Sequence, residues 1–245
     1  MTVAIFTGPS LASEEGRREL EAIYLPPVSQ GDVYRAALRR PQAIGIIDGY
    51  FERVPAVWHK EILWAMAQGI HVFGSASMGA LRAAELAAFG MEGVGAIFEA
   101  YRDGALEDDD EVAVVHGPAE SGYRALSVAL VNIRRTLAAA EAQSTIGPAT
   151  RTALERIAKA RFYPERSYPQ LLRDAAEHGL PAAELAALRN WLPHGQIDQK
   201  HTDALAMLRL IRERLVDGLE PKRVAFHFEH TMFWDRVQRS ASADS

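Results

Sequence analysis

A chain of 245 residues is long enough for one large domain or two small ones, and its formal net charge of −5 gives no electrostatic case for nucleic acid. It contains no cysteine, which excludes disulfides, thiolate metal sites, persulfide relays and a cysteine nucleophile. Covalent catalysis therefore falls to Ser, Thr, Lys, His or a carboxylate.

Val3–Phe6 reads as a short apolar strand that exits into Thr7-Gly8-Pro9-Ser10, with a helix expected over Ala12–Ala22. Tyr24–Val28 holds Pro26-Pro27 and reads as extended or loop. Asp32 caps a helix from Val33 to Arg40, and Ala43–Ile47 is a second strand that ends in Asp48-Gly49. Pro55 opens a helix that runs to Gln68 and stops at Gly69. His71–Phe73 is a third strand, followed by the small residues Gly74–Gly79 and a helix from Ala80 to near Gly90. Val94–Arg102 reads as another helix, Glu107–Glu111 is the acidic run EDDDE, and Val112–Val115 reads as a fourth strand with His116 at its exit. After Ala119 the pattern turns helical: Ala119–Ala142, Pro148–Ala160, Pro169–Glu177, Pro181–Leu192 and Asp198–Val216, with Arg223–Phe228 the one further strand candidate. Ser240–Ser245 is expected to fray.

Short apolar strands alternating with helices predict an α/β fold, a short, mainly parallel sheet with flanking helices in the N-terminal half, followed by a mostly helical C-terminal half. The expected division is an α/β core over 1–118 that carries the site and a helical region over 119–245, with a soft boundary. Right-handed crossovers place every strand's C-terminal end on one edge, where open α/β sheets put their sites. No apolar run approaches a membrane span, and the opening MTVAIFTGP has no basic region or cleavage pattern. No signal peptide and no membrane partner are expected, and the expected location is cytoplasmic.

The stretch HVFGSASMGALRAAEL, His71–Leu86, combines strand, small-residue turn and helix, the setting of a nucleophile elbow. Ser77-x-Gly79 keeps half of the G-x-S-x-G pattern, and Ser75 stands where the leading Gly belongs. The competing reading is a tight turn in which Ser75 or Ser77 only caps the helix. Lys60, near the second turn of the Pro55 helix, is the candidate base, and a neutral lysine takes a serine proton. The alternative is a solvated surface lysine paired with Glu61. The Met78 amide, with Gly79 behind it, is the expected oxyanion donor, and Gly8–Ser10 a second source. His59 and His116 are rival bases. Asp48 orients a base or caps the Pro55 helix, and Arg82 and Glu85 pair three apart on one helix face. The acidic run matches no metal loop and reads as a solvated loop, a helix-edge charge or a docking surface for a basic partner. Lys200 and Asp203 form an i,i+3 pair, Phe226–Trp234 is core or interface, and His227 with His230 is a weak metal signal. Neither a metal nor a cofactor is expected. A phosphate site at the Gly74–Gly79 turn ranks last, because the Lys-Ser/Thr ending of a P-loop is missing.

Five strings, GPS (Gly8–Ser10), IGIIDGYF (Ile44–Phe51), HKEILWA (His59–Ala65), SMGALRAAEL (Ser77–Leu86) and DDDEVAVVH (Asp108–His116), together resemble the TfuA-like proteins. The resemblance covers roughly the first half of the chain in the expected order, and less sharply the Lys200/Asp203 segment. It implies a partner of YcaO enzymes, which use ATP to activate a peptide backbone amide; the pair installs a thioamide. It further implies a hydrolase that releases sulfide from a thiocarboxylated, ThiS-like sulfur carrier, with Ser77 as nucleophile and Lys60 as base, and that helps the YcaO partner engage its peptide substrate. Ser75-Ala76 departs from the expected Ala-Ser order. The absence of cysteine fits, because sulfur then cannot ride here as a persulfide. Hydrosulfide also leaves more readily than an amine, so nucleophile activation and oxyanion stabilisation become the demanding tasks. The alternative is an adaptor that docks YcaO and its peptide and breaks no bond.

Overall fold

Val3–Phe6 (β1), Ile23–Leu25 (β2), Ala43–Ile46 (β3), His71–Ser75 (β4) and Glu92–Val94 (β5) pair in the order β2-β1-β3-β4-β5, and every pairing is parallel. The computed structural model describes residues 2–51, 54–232, 234–236 and 238; the expected fraying of Ser240–Ser245 lies outside them. The chain divides into two compact units. The sheet unit comprises the residues up to Glu107 and those from His201 on; the helical unit is Asp108–Lys200.

The connections are Ser13–Glu19 (α1), Asp32–Leu38 (α2), His59–Ala67 (α3) and Met78–Leu86 (α4), and β5 leads into Ala96–Arg102 (α5). From β1 the chain steps outward to β2, then returns across β1 to β3 and continues to β4 and β5. Right-handed crossovers put α1 on one face and α2, α3 and α4 on the other. The strand order thus reverses between β1 and β3, and the crevice beyond their C-terminal ends is the topological switch point. Alternation along β1 serves both faces. Val3 and Ile5 join a core with Leu11, Leu20 and residues Ala204, Met207, Leu208 and Ile211 of the last helix, Gln199–Asp217. Ala4 and Phe6 point to the α2 side.

Several sequence expectations shift. The stretch read as extended or loop is extended at its start, where Tyr24 and Leu25 belong to the strand Ile23–Leu25; Pro26 and Pro27 come after its last ladder residue, where no amide is needed. Val112–Val115, expected as a fourth strand, is not one, and the strand that follows His71–Ser75 is Glu92–Val94. Val112–Val115 follows a single turn at Asp109–Glu111 and pairs with no strand among the described residues; the next residue, His116, makes an isolated antiparallel bridge to Ala125. The long helix expected from Ala119 begins at Leu130, since Gly122 at φ 64° and Tyr123 at φ 57° turn the backbone left-handed. Arg223–Phe228 forms no strand.

The helical unit packs Leu130–Ala142 (α6), Pro148–Ala160 (α7), Tyr168–Glu177 (α8) and Ala182–Gly195 (α9) around Leu137, Leu154, Leu171 and Leu188. Part of the acidic run is engaged within this unit. Glu111 takes a bidentate pair from Arg134 at 2.9 Å on each arm. Asp110 is gripped by Lys159 and by the almost fully buried Arg166. Burial works against the Asp110 charge, but these two cations outweigh it and hold its carboxyl below the ordinary range.

Candidate active site

The C-terminal sheet edge gathers the segments after β1, β3 and β4. At the switch point Asp48 is 1 % exposed, and its carboxylate accepts the Ser10 amide at 2.9 Å and the Ser10 hydroxyl at 2.6 Å. Asp48 therefore ties the ends of β1 and β3 together. Ser10 spends its amide and hydroxyl on that tie, so within Gly8–Ser10 only the Gly8 amide is without a backbone or side-chain partner among the described residues.

Between β4 and α4 the chain bends within two residues. Ala76 takes φ 64°, a left-handed conformation that costs a non-glycine residue of order 1 kcal/mol, and it is fully buried. The Ser77 amide bonds back to the Ser75 carbonyl at 2.8 Å across this bend. Helix α4 then begins at once, with the Ser77 carbonyl accepting Ala80 N–H at 2.9 Å. Ser77 thus occupies the N-cap position, but its hydroxyl makes no capping bond. Among the described residues that hydroxyl has no hydrogen-bond partner, and neither does the adjacent Met78 N–H, which opens the helix. A free hydroxyl beside a free amide at a helix's positive end is the arrangement that acyl transfer needs. Gly79 makes the geometry possible, since a Cβ there would stand 1.8 Å from the Ile46 carbonyl oxygen; its own N–H is committed to Ile47 O at 3.2 Å. Ser77 is only 2 % exposed, which favours a narrow extended end group over a broad substrate. The Ser75 hydroxyl is buried without a partner among the described residues.

Lys60 does not bond to Ser77. Its Nζ donates to Thr231 Oγ1 at 3.1 Å and stands 5.4 Å from the centre of the Phe228 ring. Phe228 belongs to an aromatic cluster with Tyr34, Trp58, Trp64 and Trp234, so the segment expected to be core or interface is core at these positions. His59 joins Glu85 at 2.7 Å, and Arg82 joins the same Glu85 oxygen at 2.7 Å while its Nε donates to Val57 O. Burial opposes the Glu85 charge, yet the His59 and Arg82 hydrogen bonds outweigh it and hold the carboxyl below its ordinary range. The trio fixes the start of α3 against α4, a positioning role.

Glu61 is the residue that sequence reasoning undervalued. It pairs with no lysine; it is fully buried and accepts Trp58 N–H at 3.2 Å and Tyr34 N–H at 3.3 Å, so it caps α3 and α2 together. Burial pushes its carboxyl up to about 7 from an ordinary 4.5, against the opposing pull of those amides. An acid raised in the folded state is held in its protonated form, so its stabilisation is complete below about 4.5 and is lost as pH rises through about 7. The difference corresponds to about 3 kcal/mol. Urea titrations between pH 4.5 and 8 are expected to show this loss in the wild type and a flatter profile in Glu61→Gln; parallel profiles would refute it.

His116 lies in the helical unit, where its Nδ1 meets Gly117 O at 2.8 Å. Lys200 is buried and donates to Val112 O at 2.8 Å. Asp203 lies at the end of β5, where its carboxylate accepts Ile97 N–H at 2.8 Å at the start of α5. Among the described residues no helix is long and apolar enough to cross a membrane. Residues 48–167, which include Lys60 and Ser77, match the family model described as TfuA-like protein. No curated protein matches the chain.

Proposed function

We propose that this chain, a TfuA-like protein by its match over residues 48–167, is a serine-type hydrolase that releases sulfide from the thiocarboxylated end of a ThiS-like carrier for a partner YcaO enzyme. The observation that carries the reading is the uncommitted Ser77 hydroxyl beside the uncommitted Met78 amide on the sheet's C-terminal edge. Ser77 Oγ attacks the thioacyl carbon and its proton passes to neutral Lys60. The Met78 N–H and the helix end stabilise the oxyanion, and Lys60 hands the proton on to the departing sulfur, so that hydrosulfide leaves and the lysine is neutral again for the hydrolytic step. Water then clears the acyl-serine ester, leaving the carrier with a carboxylate and Ser77 restored. Lys60 reaches this role by exchanging Thr231 for Ser77.

The contact between Lys60 and Thr231 is also what favours the second reading, an adaptor for YcaO and its peptide without chemistry of its own. The two readings part in a sulfide-release assay with a thiocarboxylated carrier. Lys60→Ala is expected to cut release by about 10²- to 10⁴-fold. Thr231→Val, which removes the competing acceptor, is expected to retain or raise release. Undiminished release in Lys60→Ala would remove lysine as the base, and no release by the wild type would leave the adaptor.

A further inference from the structure

We propose that the cleft between α2 and the β1–β2 edge of the sheet holds an apolar stretch of the extended peptide tail whose acyl end is processed at Ser77. The inference rests on the hydrolase reading and adds what that site recognises.

The cleft has a volume of about 540 Å³, within the range of sites that enclose small ligands. It exists because both walls carry small side chains: Ala4 at the middle of β1 and Ala36 on α2. Ile23 on the edge strand completes the wall and remains 43 % exposed. Its length follows from α2, since the lining runs from Asp32 at the start of that helix to Arg39, the residue just after its end. Seven helical positions rise about 10 Å, the length of about three extended residues.

Two observations choose a peptide tail as the occupant. The first is continuity with the Ser77 turn. Tyr50 lines the upper end of the cleft, and the preceding Gly49 lies so close to Met78 that a Cβ at 49 would stand 2.8 Å from Met78 Cγ. A chain end at Ser77 and a chain body in the cleft are thus separated by Gly49-Tyr50. The second is charge. Arg35 is already held by Asp32 at 2.6 Å, whereas Arg39 at the far end is exposed and has no ion-pair partner among the described residues. An apolar stretch of about three residues preceded by an acidic one matches this lining in length and charge.

The test is fluorescence anisotropy with the full chain and labelled ten-residue Gly/Ser peptides ending in a free carboxylate. Two adjacent leucines are moved from the third to the seventh position from that end, with Glu, Gly or Lys just before them. One leucine position is expected to bind at least ten-fold tighter than the others, and Glu tighter than Lys. Ala36→Leu, which fills the cleft, and Ile23→Ser, on its exposed wall, are each expected to weaken that peptide at least ten-fold, with melting curves showing that the variants fold. Arg39→Glu is expected to reverse the preference toward Lys. Binding indifferent to leucine position, or unchanged in both Ala36→Leu and Ile23→Ser, would overturn the proposal. So would saturable binding of decanoate with no peptide bound, which would make the cleft a site for a small amphipathic acid. If the peptide binds as expected but sulfide release survives Ser77→Ala, the hydrolase reading fails while the peptide cleft stands.

Discussion

Ser77→Ala is expected to lower sulfide release from a thiocarboxylated carrier by at least about 10³-fold, with a change in stability within about 0.5 kcal/mol. Both halves follow from what the hydroxyl does not do. It caps no helix and bonds to no described residue, so its removal leaves no partner stranded. A loss of turnover without loss of fold then belongs to the chemistry. Ser75→Ala is the control. The Ser75 hydroxyl is fully buried and has no partner among the described residues, so its removal is expected to be neutral or slightly stabilising and to leave release intact. Release lost in Ser75→Ala and kept in Ser77→Ala would move the nucleophile two residues back. Release kept in both would leave the chain an adaptor.

The sheet edge was legible because strand exits announce themselves by composition. Gly8-Pro9-Ser10, Asp48-Gly49 and Ser75–Gly79 are small or polar residues directly after apolar runs, and all three reach the same edge. What pattern alone does not give is partnership. The amphipathic stretch Gln199–Asp217 shows that it has an apolar face; it does not show that Met207 and Ile211 press against Gly45 of the central strand. Nor does sequence spacing reveal that Thr231 holds Lys60, because 171 positions separate them. Glu61 was misjudged for a related reason. A glutamate beside a lysine on a helix reads as surface charge, and only the approach of α2 turns it into a buried cap for two helices. The three-residue strand Glu92–Val94 escaped notice because it is too short for periodicity to register, and carries Glu92 and Gly93.

Gly79→Ala is the substitution expected to do most damage to the fold of the sheet unit. The added methyl would stand 1.8 Å from the Ile46 carbonyl oxygen and 2.6 Å from its carbon, so what must yield is strand backbone rather than the end of a flexible side chain. The neighbouring strand is equally committed: a Cβ at Gly74 would lie 2.1 Å from the Gly79 carbonyl oxygen. With β3 and β4 both in register beside the helix, relief requires α4 to lift from the sheet. Overpacking of this kind costs about 3 kcal/mol or more, expected as a fall of about 10 °C in melting temperature. Lifting α4 also carries the Met78 amide away from the Ser77 hydroxyl. Release per folded molecule is therefore expected to fall as well, whereas Ser77→Ala loses release alone. A Gly79→Ala protein that melts with the wild type would refute the close approach of helix to strand on which the placement of Ser77 depends. One that melts early but releases sulfide at the wild-type rate per folded molecule would show that the Met78 amide is not the oxyanion donor.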